Sequence, residues 1–442
     1  MRRLAHALAV LAAVGLIPTT AALVDPKEAE ARCAARAEES SAAGFRLGWR
    51  FGFSTTEACD VGEGRFAVPP ESGGHEVVFW VEADHAVRFR LLAADDQVLA
   101  EWSAARGEWQ RAPNLPVGVF RVKIAAEGTT TGAAYFGLKG QALPHLPLDP
   151  AQWQERPAVP AAGYRWPFLL RVPATVRVPF LLVAPNNTGF ATADLEMLRA
   201  VAANQGRSDG DLAEALGCPL LIPLFPRPPK GESNLYLHAL SRDALAAPQE
   251  EWRRVDLQLL AMIEAARALL AQRGTTMDPR VLLWGFSAAG DFAQRFAMLH
   301  PERVRAVAAG GFSWPLAPVA REGEAVLPYP IGVGDLEALG VASPTVEARR
   351  AVRWFLFRGG KDHNEPLDHP DCFSPEHAAL VRSRFGVTVA ERWARASSLY
   401  TEAGLNAEFV LEPGAAHLVT AEMRARVERF FAAAMESEPR VR

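Results

Sequence analysis

The sequence predicts an α/β protein: a doubly wound, mostly parallel sheet, preceded by a small antiparallel β-sandwich. Three observations carry this. Short runs rich in β-branched and aromatic residues, separated by turn-like breaks, crowd residues 74–142. From residue 178 onward, apolar runs without polar alternation recur, with helical patterns between them. Such runs are strands buried on both faces, which means a parallel sheet covered by helices. A Pro-rich passage at 143–164, LPHLPLDPAQWQERPAVPAAGY, divides the two textures and reads as an extended linker. The length of 442 residues agrees with about two to three domains.

Residues 1–22 read as a secretory signal. Arg2 and Arg3 form the positive start, Leu8 to Ile17 the apolar middle, and Thr20 and Ala22 the small residues before cleavage. The apolar run is short for a membrane span, although an uncleaved anchor is the alternative reading. No other segment reaches the length of a transmembrane helix. The mature chain is therefore expected to be secreted or periplasmic in a bacterium, with no stable membrane span. The formal net charge is −4, and losing Arg2 and Arg3 makes it more negative. No basic surface or nucleic-acid motif points to DNA or RNA.

Residues 23–73 form an N-terminal helical or irregular segment. PKEAEARCAARAEESSA (26–42) has helical composition, and the rest is Gly-rich, polar and unassigned. Within 74–142, HEVVFWVEA, AVRFRLLAA, QVLAEWSA, GVFRVKIAA and AAYFGLKG are the expected strands. The α/β domain is placed at 165–436. VPFLLVAP (178–185) and PLLIPLFP (219–226) are its early strands, with a helix near 192–204 between them. Over 251–273, Val255, Leu259, Met262, Ala266 and Leu269 share one helical face, and Gly274 ends the helix. RVLLWGFS, the helix AAGDFAQRFAMLH stopped by Pro301, VRAVAAGGF, AVRWFLFRGG, AEFVLEPG and a helix over 420–435 complete the alternation. Some 40 Pro- and Gly-rich residues between VRAVAAGGF and AVRWFLFRGG are expected to form an irregular flap.

One strand ends unusually. VLLWGFSAAG (281–290) runs from four apolar residues into a single serine set among glycines and alanines. A serine hydroxyl is a poor nucleophile alone; it needs a base, a group to orient that base, and donors for an oxyanion. In doubly wound sheets such groups gather at the carboxyl ends of strands. AVRWFLF runs into Arg358-Gly359-Gly360-Lys361-Asp362, and AEFVLE runs into Pro413-Gly414-Ala415-Ala416-His417. Ser287, Asp362 and His417 thus each lie just past a predicted strand end.

With these residues the sequence resembles the α/β-hydrolase superfamily over about 165–436, most closely its secreted esterases and polyester depolymerases. The strand–Gly-Phe-Ser-Ala-Ala-Gly–helix unit is similar to the family's nucleophile elbow, and the order Ser, acid, His is the family's order. It departs at Ala289, where a second glycine is usual; Gly290 follows. The resemblance implies a carboxylic ester hydrolase with Ser287 as nucleophile, His417 as general base and Asp362 as its orienting acid. It also implies oxyanion donors at the backbone of Ala288 and in the loop after VPFLLVAP, at Asn187 or alternatively Asn186. Asn186-Asn187-Thr188 also fits a glycosylation sequon, which the bacterial-looking signal argues against. Asp368 and Asp371 are alternative acids lying further from the strand end.

Phe286, beside the serine, and His238, after PLLIPLFP, are candidate substrate-pocket residues. Trp284 reads as core, and His300 as a favourable helix C-terminal residue. The polar cluster Asp362, His363, Asn364, Glu365, Asp368, His369 and Asp371 is more simply an acid-bearing loop than a metal site. No metal or other cofactor is called for, and nothing identifies a protein partner. Four cysteines, in an exported chain, suggest the disulfides Cys33–Cys59 and Cys218–Cys372; buried free thiols are the alternative. Three other functions fit the same residues. One is a peptidase of the same fold. Another is a binding protein on a hydrolase scaffold. In the third, the β-domain with Phe79, Trp80 and Trp102 carries the enzyme to an insoluble polymer.

Overall fold

In the computed structural model, the chain forms two compact units, Met1–Gly64 with Val68–Ala142, and Arg65–Ala67 with Leu143–Arg442. The structure describes residues 29, 32–33, 35–36, 46–56, 58–68, 76–93, 96–104, 107, 109–113, 115, 118–139, 148–149, 151–187, 193, 195–228, 235–362 and 364–436. Residues 1–22, read from the sequence as a secretory signal, and the side chain of Cys59 lie outside them, so the Cys33–Cys59 pairing does too.

The first unit is built from two four-stranded sheets. Its strands are β1 (Arg46–Thr56), β2 (Cys59–Val68), β3 (Glu76–Ala83), β4 (Val87–Ala93), β5 (Val98–Ala104), β6 (Trp109–Pro113), β7 (Gly118–Ala126) and β8 (Thr129–Lys139). One sheet runs β1-β8-β3-β6, the other β2-β7-β4-β5. The β-domain therefore starts at Arg46 and not near residue 74. RLGWRFGF does alternate, with Leu47, Trp49, Phe51 and Phe53 at every second position, but the two glycines between them hide the period. On β4, Val87, Phe89 and Leu91 are buried while Arg88 and Arg90 are half-buried, the alternation of a strand with one wet face. On β3, consecutive residues are buried. Phe79 packs on Phe89 and Trp102. Val78 and Trp80 face Ala29 and Cys33 of the N-terminal helical segment, where Arg32 pairs with Glu82 at 2.9 Å. Phe79 and Trp80 are thus core, and Trp102 is half-buried against Phe79.

The second unit carries an eight-stranded sheet. Its strands are β9 (Trp153–Arg156), β10 (Phe168–Arg171), β11 (Leu182–Val183), β12 (Leu220–Pro223), β13 (Val281–Phe286) and β14 (Val304–Gly310), then, after a small hairpin of β15 (Arg321–Glu322) and β16 (Ala325–Val326), β17 (Arg353–Gly359) and β18 (Asn406–Glu412). Their order is β9-β10-β12-β11-β13-β14-β17-β18. β10 is antiparallel to both neighbours, and the pairs from β12 to β18 are parallel. Counted along the chain this is 1-2-4-3-5-6-7-8 with the second strand reversed, the strand order of the α/β-hydrolase fold. The sheet begins at Trp153, inside the passage read from the sequence as a linker. Prolines flank this short edge strand without interrupting it.

Side chains of the central strands alternate between two cores. Val281, Leu283, Val307, Ala309, Trp354 and Leu356 pack against the helices Val255–Gln272 and Ala288–Leu299. Leu282, Trp284, Ala306, Ala308, Phe355 and Phe357 pack against Leu195–Leu216 and Ala421–Glu436. Both faces being dry explains the unbroken apolar runs. Truncating a fully buried residue such as Leu283 to alanine costs about 2–5 kcal/mol.

The segment expected to be an irregular flap is instead largely packed. Trp314, Leu316, Leu327, Tyr329 and Ile331 are all buried. The Trp314 ring stacks on Phe385 at 4.2 Å and its indole N–H donates to the Ile331 carbonyl. Phe385 ends the helix Pro375–Phe385, which with Val389–Glu402 lies between β17 and β18. The second of these helices starts in a capping box, Thr388 with Glu391. Among the described residues no helix is long and apolar enough to cross a membrane, and no cluster of metal-ligating side chains is found.

Candidate active site

β13 ends at Phe286, and the helix Ala288–Leu299 begins one residue after Ser287. That leaves one residue to turn the chain. Ser287 takes φ +61°, ψ −132°, a conformation that costs a non-glycine residue about 1–3 kcal/mol. Its N–H is held by the Gly310 carbonyl at 2.8 Å and its C=O by the Asp291 N–H at 3.0 Å. Two glycines permit the turn. A Cβ on Gly285 would lie 2.1 Å from the Ala289 carbonyl oxygen, and one on Gly290 would lie 2.3 Å from that of Gly310. The approach of the helix to the Gly310 carbonyl falls at residue 290, which is a glycine, and not at Ala289.

The three strand-end residues meet. His417 Nε2 lies 3.0 Å from Ser287 Oγ, and His417 Nδ1 lies 2.9 Å from Asp362 Oδ2. With Nδ1–H donating to the buried carboxylate, Nε2 is the acceptor facing the hydroxyl, the arrangement that lets imidazole take its proton. Asp362 Oδ1 accepts from the Asn364 N–H at 2.9 Å. The two loops are stitched together, since the Gly360 N–H donates to Glu412 O and the Lys361 N–H to Ala415 O. The Phe286 ring sits 4.8 Å from the His417 ring and stacks on Phe357. Half-buried, it packs against the imidazole beside Ser287.

Ala288 opens its helix, where first-turn N–H groups have no intrahelical acceptor. The loop after β11 brings in the other candidate donors. Asn186 is buried, its amide donating to Phe225 O at 2.9 Å and accepting from the Phe225 N–H at 3.2 Å, so its side chain is committed to structure. Asn187 follows, half-buried. Beneath them Gln205 donates to Pro185 O at 3.1 Å and to Asp209 Oδ2 at 3.0 Å, while Trp284 Nε1–H donates to Asp209 Oδ1 at 2.8 Å. Burial pushes the Asp209 carboxyl up, against the Arg424 charge and these donors.

Several expectations are corrected. His238 does not line an open pocket. It is fully buried, its Nε2–H donates to Phe225 O at 2.7 Å, and burial pulls its pKa down to about 3. A neutral ring there keeps its donor on a buried carbonyl. Asp371 pairs with Arg227 and Asp368 with Arg382, so neither alternative acid faces His417. Cys218 and Cys372 are separate buried thiols. Cys218 precedes β12, whereas Cys372 lies beyond the carboxyl end of β17, and parallel strands put those points at opposite ends of the sheet. His300 is set by more than its helix end, because Nε2 lies 2.9 Å from the buried Asp256.

Two features near the acid were not read from the sequence. Asp291, one turn past Ser287, is buried beside Arg295, and burial raises its pKa to about 6. Arg358, on β17, is buried and donates to the Asp362 and Asn364 carbonyls. The signal for the second was available, because an arginine inside WFLFRGG is a charge in a buried strand and requires partners.

No protein-family model matches this chain, and no curated protein does. Among solved structures it is similar to poly(aspartic acid) hydrolase-1 from Sphingomonas sp. KT-1, at 15% identity over 65% of this chain and 98% of that one, with a TM-score of 0.39. It is also similar to a poly(3-hydroxybutyrate) depolymerase from Bordetella parapertussis, at 19% identity over 59% and 88%, TM-score 0.37. An S-formylglutathione hydrolase from Agrobacterium tumefaciens follows at 15% over 64% and 94%, TM-score 0.35. At these values the likenesses add nothing to the fold assignment, which rests on strand order and register.

Proposed function

We propose that this chain is an exported serine hydrolase that cleaves carboxylic esters through an acyl-enzyme intermediate. One observation carries the reading: Ser287, held at a strained strand-to-helix turn, lies 3.0 Å from an imidazole whose other nitrogen lies 2.9 Å from a buried carboxylate. Ser287 Oγ attacks the ester carbon as His417 Nε2 takes its proton. The carbonyl π electrons move onto oxygen, and the N–H groups of Ala288 and Asn187 receive that charge. Collapse expels the alcohol, protonated by His417. Water then repeats the sequence on the acyl-serine, releasing the acid and restoring Ser287. Asp362 holds the imidazole in the working tautomer throughout and offsets its transient charge. Residues 1–22 serve export in this reading, and neither metal nor organic cofactor takes part.

The test is fluorophosphonate labelling of the purified protein lacking residues 1–22, with peptide mapping. The expected result is one adduct on Ser287, absent in Ser287→Ala, with ester turnover lost in that variant at unchanged thermal stability. A folded protein that takes no label favours the binding-protein reading. Turnover of peptide amides at rates matching esters favours the peptidase.

A further inference from the structure

We propose that Arg358 is a positioning residue for Asp362, acting through the backbone of the acid loop; this rests on the reading of Asp362 as the orienting acid. Arg358 is 1% exposed and sits four residues before Asp362 at the end of β17. A single nitrogen, Nη2, donates to Asp362 O and to Asn364 O, both at 2.7 Å, and lies 3.5 Å from Asp362 Oδ1.

The Asp362 carboxylate is aimed by two bonds. Oδ2 meets His417, and Oδ1 accepts from the Asn364 N–H. The second bond fixes the carboxylate plane only if the backbone of residue 364 is itself fixed, and Arg358 is what fixes it. The stitching of Gly360 and Lys361 to the His417 loop secures the start of the turn, and the pairing of Glu365 with buried Arg392 secures its end. Between those anchors, Asp362 and Asn364 are tied down by Arg358. An arginine is cationic at any working pH. The other charges around it are Glu365, Arg392 and Asp291.

Replacing the guanidinium leaves two loop carbonyls without their donor and lets the carboxylate rotate off the imidazole. A reacting group displaced by about 1 Å loses about 10²-fold in rate. The experiment is a double-mutant cycle on ester hydrolysis, with Arg358→Gln, Asp362→Asn and the double variant compared for kcat, KM and rate of fluorophosphonate labelling. Arg358→Gln should lower kcat about 10²-fold, with KM changing less than about twofold. In the Asp362→Asn background the same substitution should cost nothing further, because there is no carboxylate left to aim. Arg358→Lys keeps the charge and gives up the rigid guanidinium, so its loss should be intermediate; it replaces the glutamine variant in the cycle if that one does not fold.

Losses that multiply across the cycle would assign Arg358 a merely structural role. Wild-type kcat in a folded Arg358→Gln, or a loss confined to KM, would overturn the proposal while leaving the Ser287 reading intact. Full activity in Asp362→Asn would instead remove the acid from the reading, and this proposal with it.

Discussion

Replacing Asp362 by asparagine exchanges one oxygen for an amide nitrogen, and the surroundings decide which of the two faces His417. The Asn364 N–H points at Oδ1 from 2.9 Å, and Arg358 Nη2 lies 3.5 Å from the same atom. Both are donors, so both select the amide oxygen. Turning the amide over sets its NH2 against a backbone N–H in a buried site, an unsatisfied pairing that costs about 1–3 kcal/mol. The NH2 therefore faces His417 Nδ1. An NH2 group only donates, so Nδ1 becomes the acceptor and the ring proton moves to Nε2. Nε2–H then meets Ser287 Oγ as a donor and cannot take its proton. Loss of the working tautomer lowers kcat by about 10⁴-fold, equivalent to about 5.4 kcal/mol of transition-state stabilisation. The assay is kcat/KM on a p-nitrophenyl ester, with thermal unfolding as control. A folded Asp362→Asn that keeps even a tenth of wild-type activity refutes the orientation argument and the role of Asp362 together.

Other outcomes follow from the same geometry. Gly290→Ala places a methyl group 2.3 Å from the Gly310 carbonyl oxygen. The helix must lift away, at about 1–3 kcal/mol, so both the melting temperature and kcat should fall; an unchanged melting temperature contradicts the close crossing. The folded pKa of His238 is pulled to about 3 from an ordinary 6.5, chiefly by burial. As pH falls from 6.5 towards 3, the unfolded chain takes up a proton that the folded chain refuses, so stability declines across that window. His238→Gln should flatten the dependence of the urea midpoint on pH there, and an identical slope in the variant would show that the ring charges freely in the folded state. Cys218 and Cys372 should resist a thiol reagent in the native protein and both react, without reductant, once it is unfolded. Recovery of the two as one disulfide-linked peptide pair would contradict their placement at opposite ends of the sheet.

The order of the elements that carry the candidate site was legible because it lies in local chemistry. Apolar runs of six or seven residues, each ending in Gly-rich sequence, mark buried parallel strands, and the serine, acid and histidine follow three of them. The strands that escaped were those with weak local signals. β1 alternates through glycines, and β9 is a four-residue edge strand between prolines. The helix at 389–402 was announced by Thr-Val-Ala-Glu, a capping box that went unread.

The sequence by itself determined the fold class of the second unit and the three residues at its strand ends, since hydrophobic period and turn chemistry act between near neighbours. Tertiary structure alone decided which partner each polar side chain meets. His238 looked free to line a pocket until the Phe225 carbonyl was placed against it. Asp371 competed with Asp362 until Arg227 claimed it, and Arg358 was an unexplained charge until two carbonyls met it. The physical reason is common to all three. A buried polar group must find a partner, and which partner is available depends on strand register and loop path, set by contacts between residues far apart in the chain.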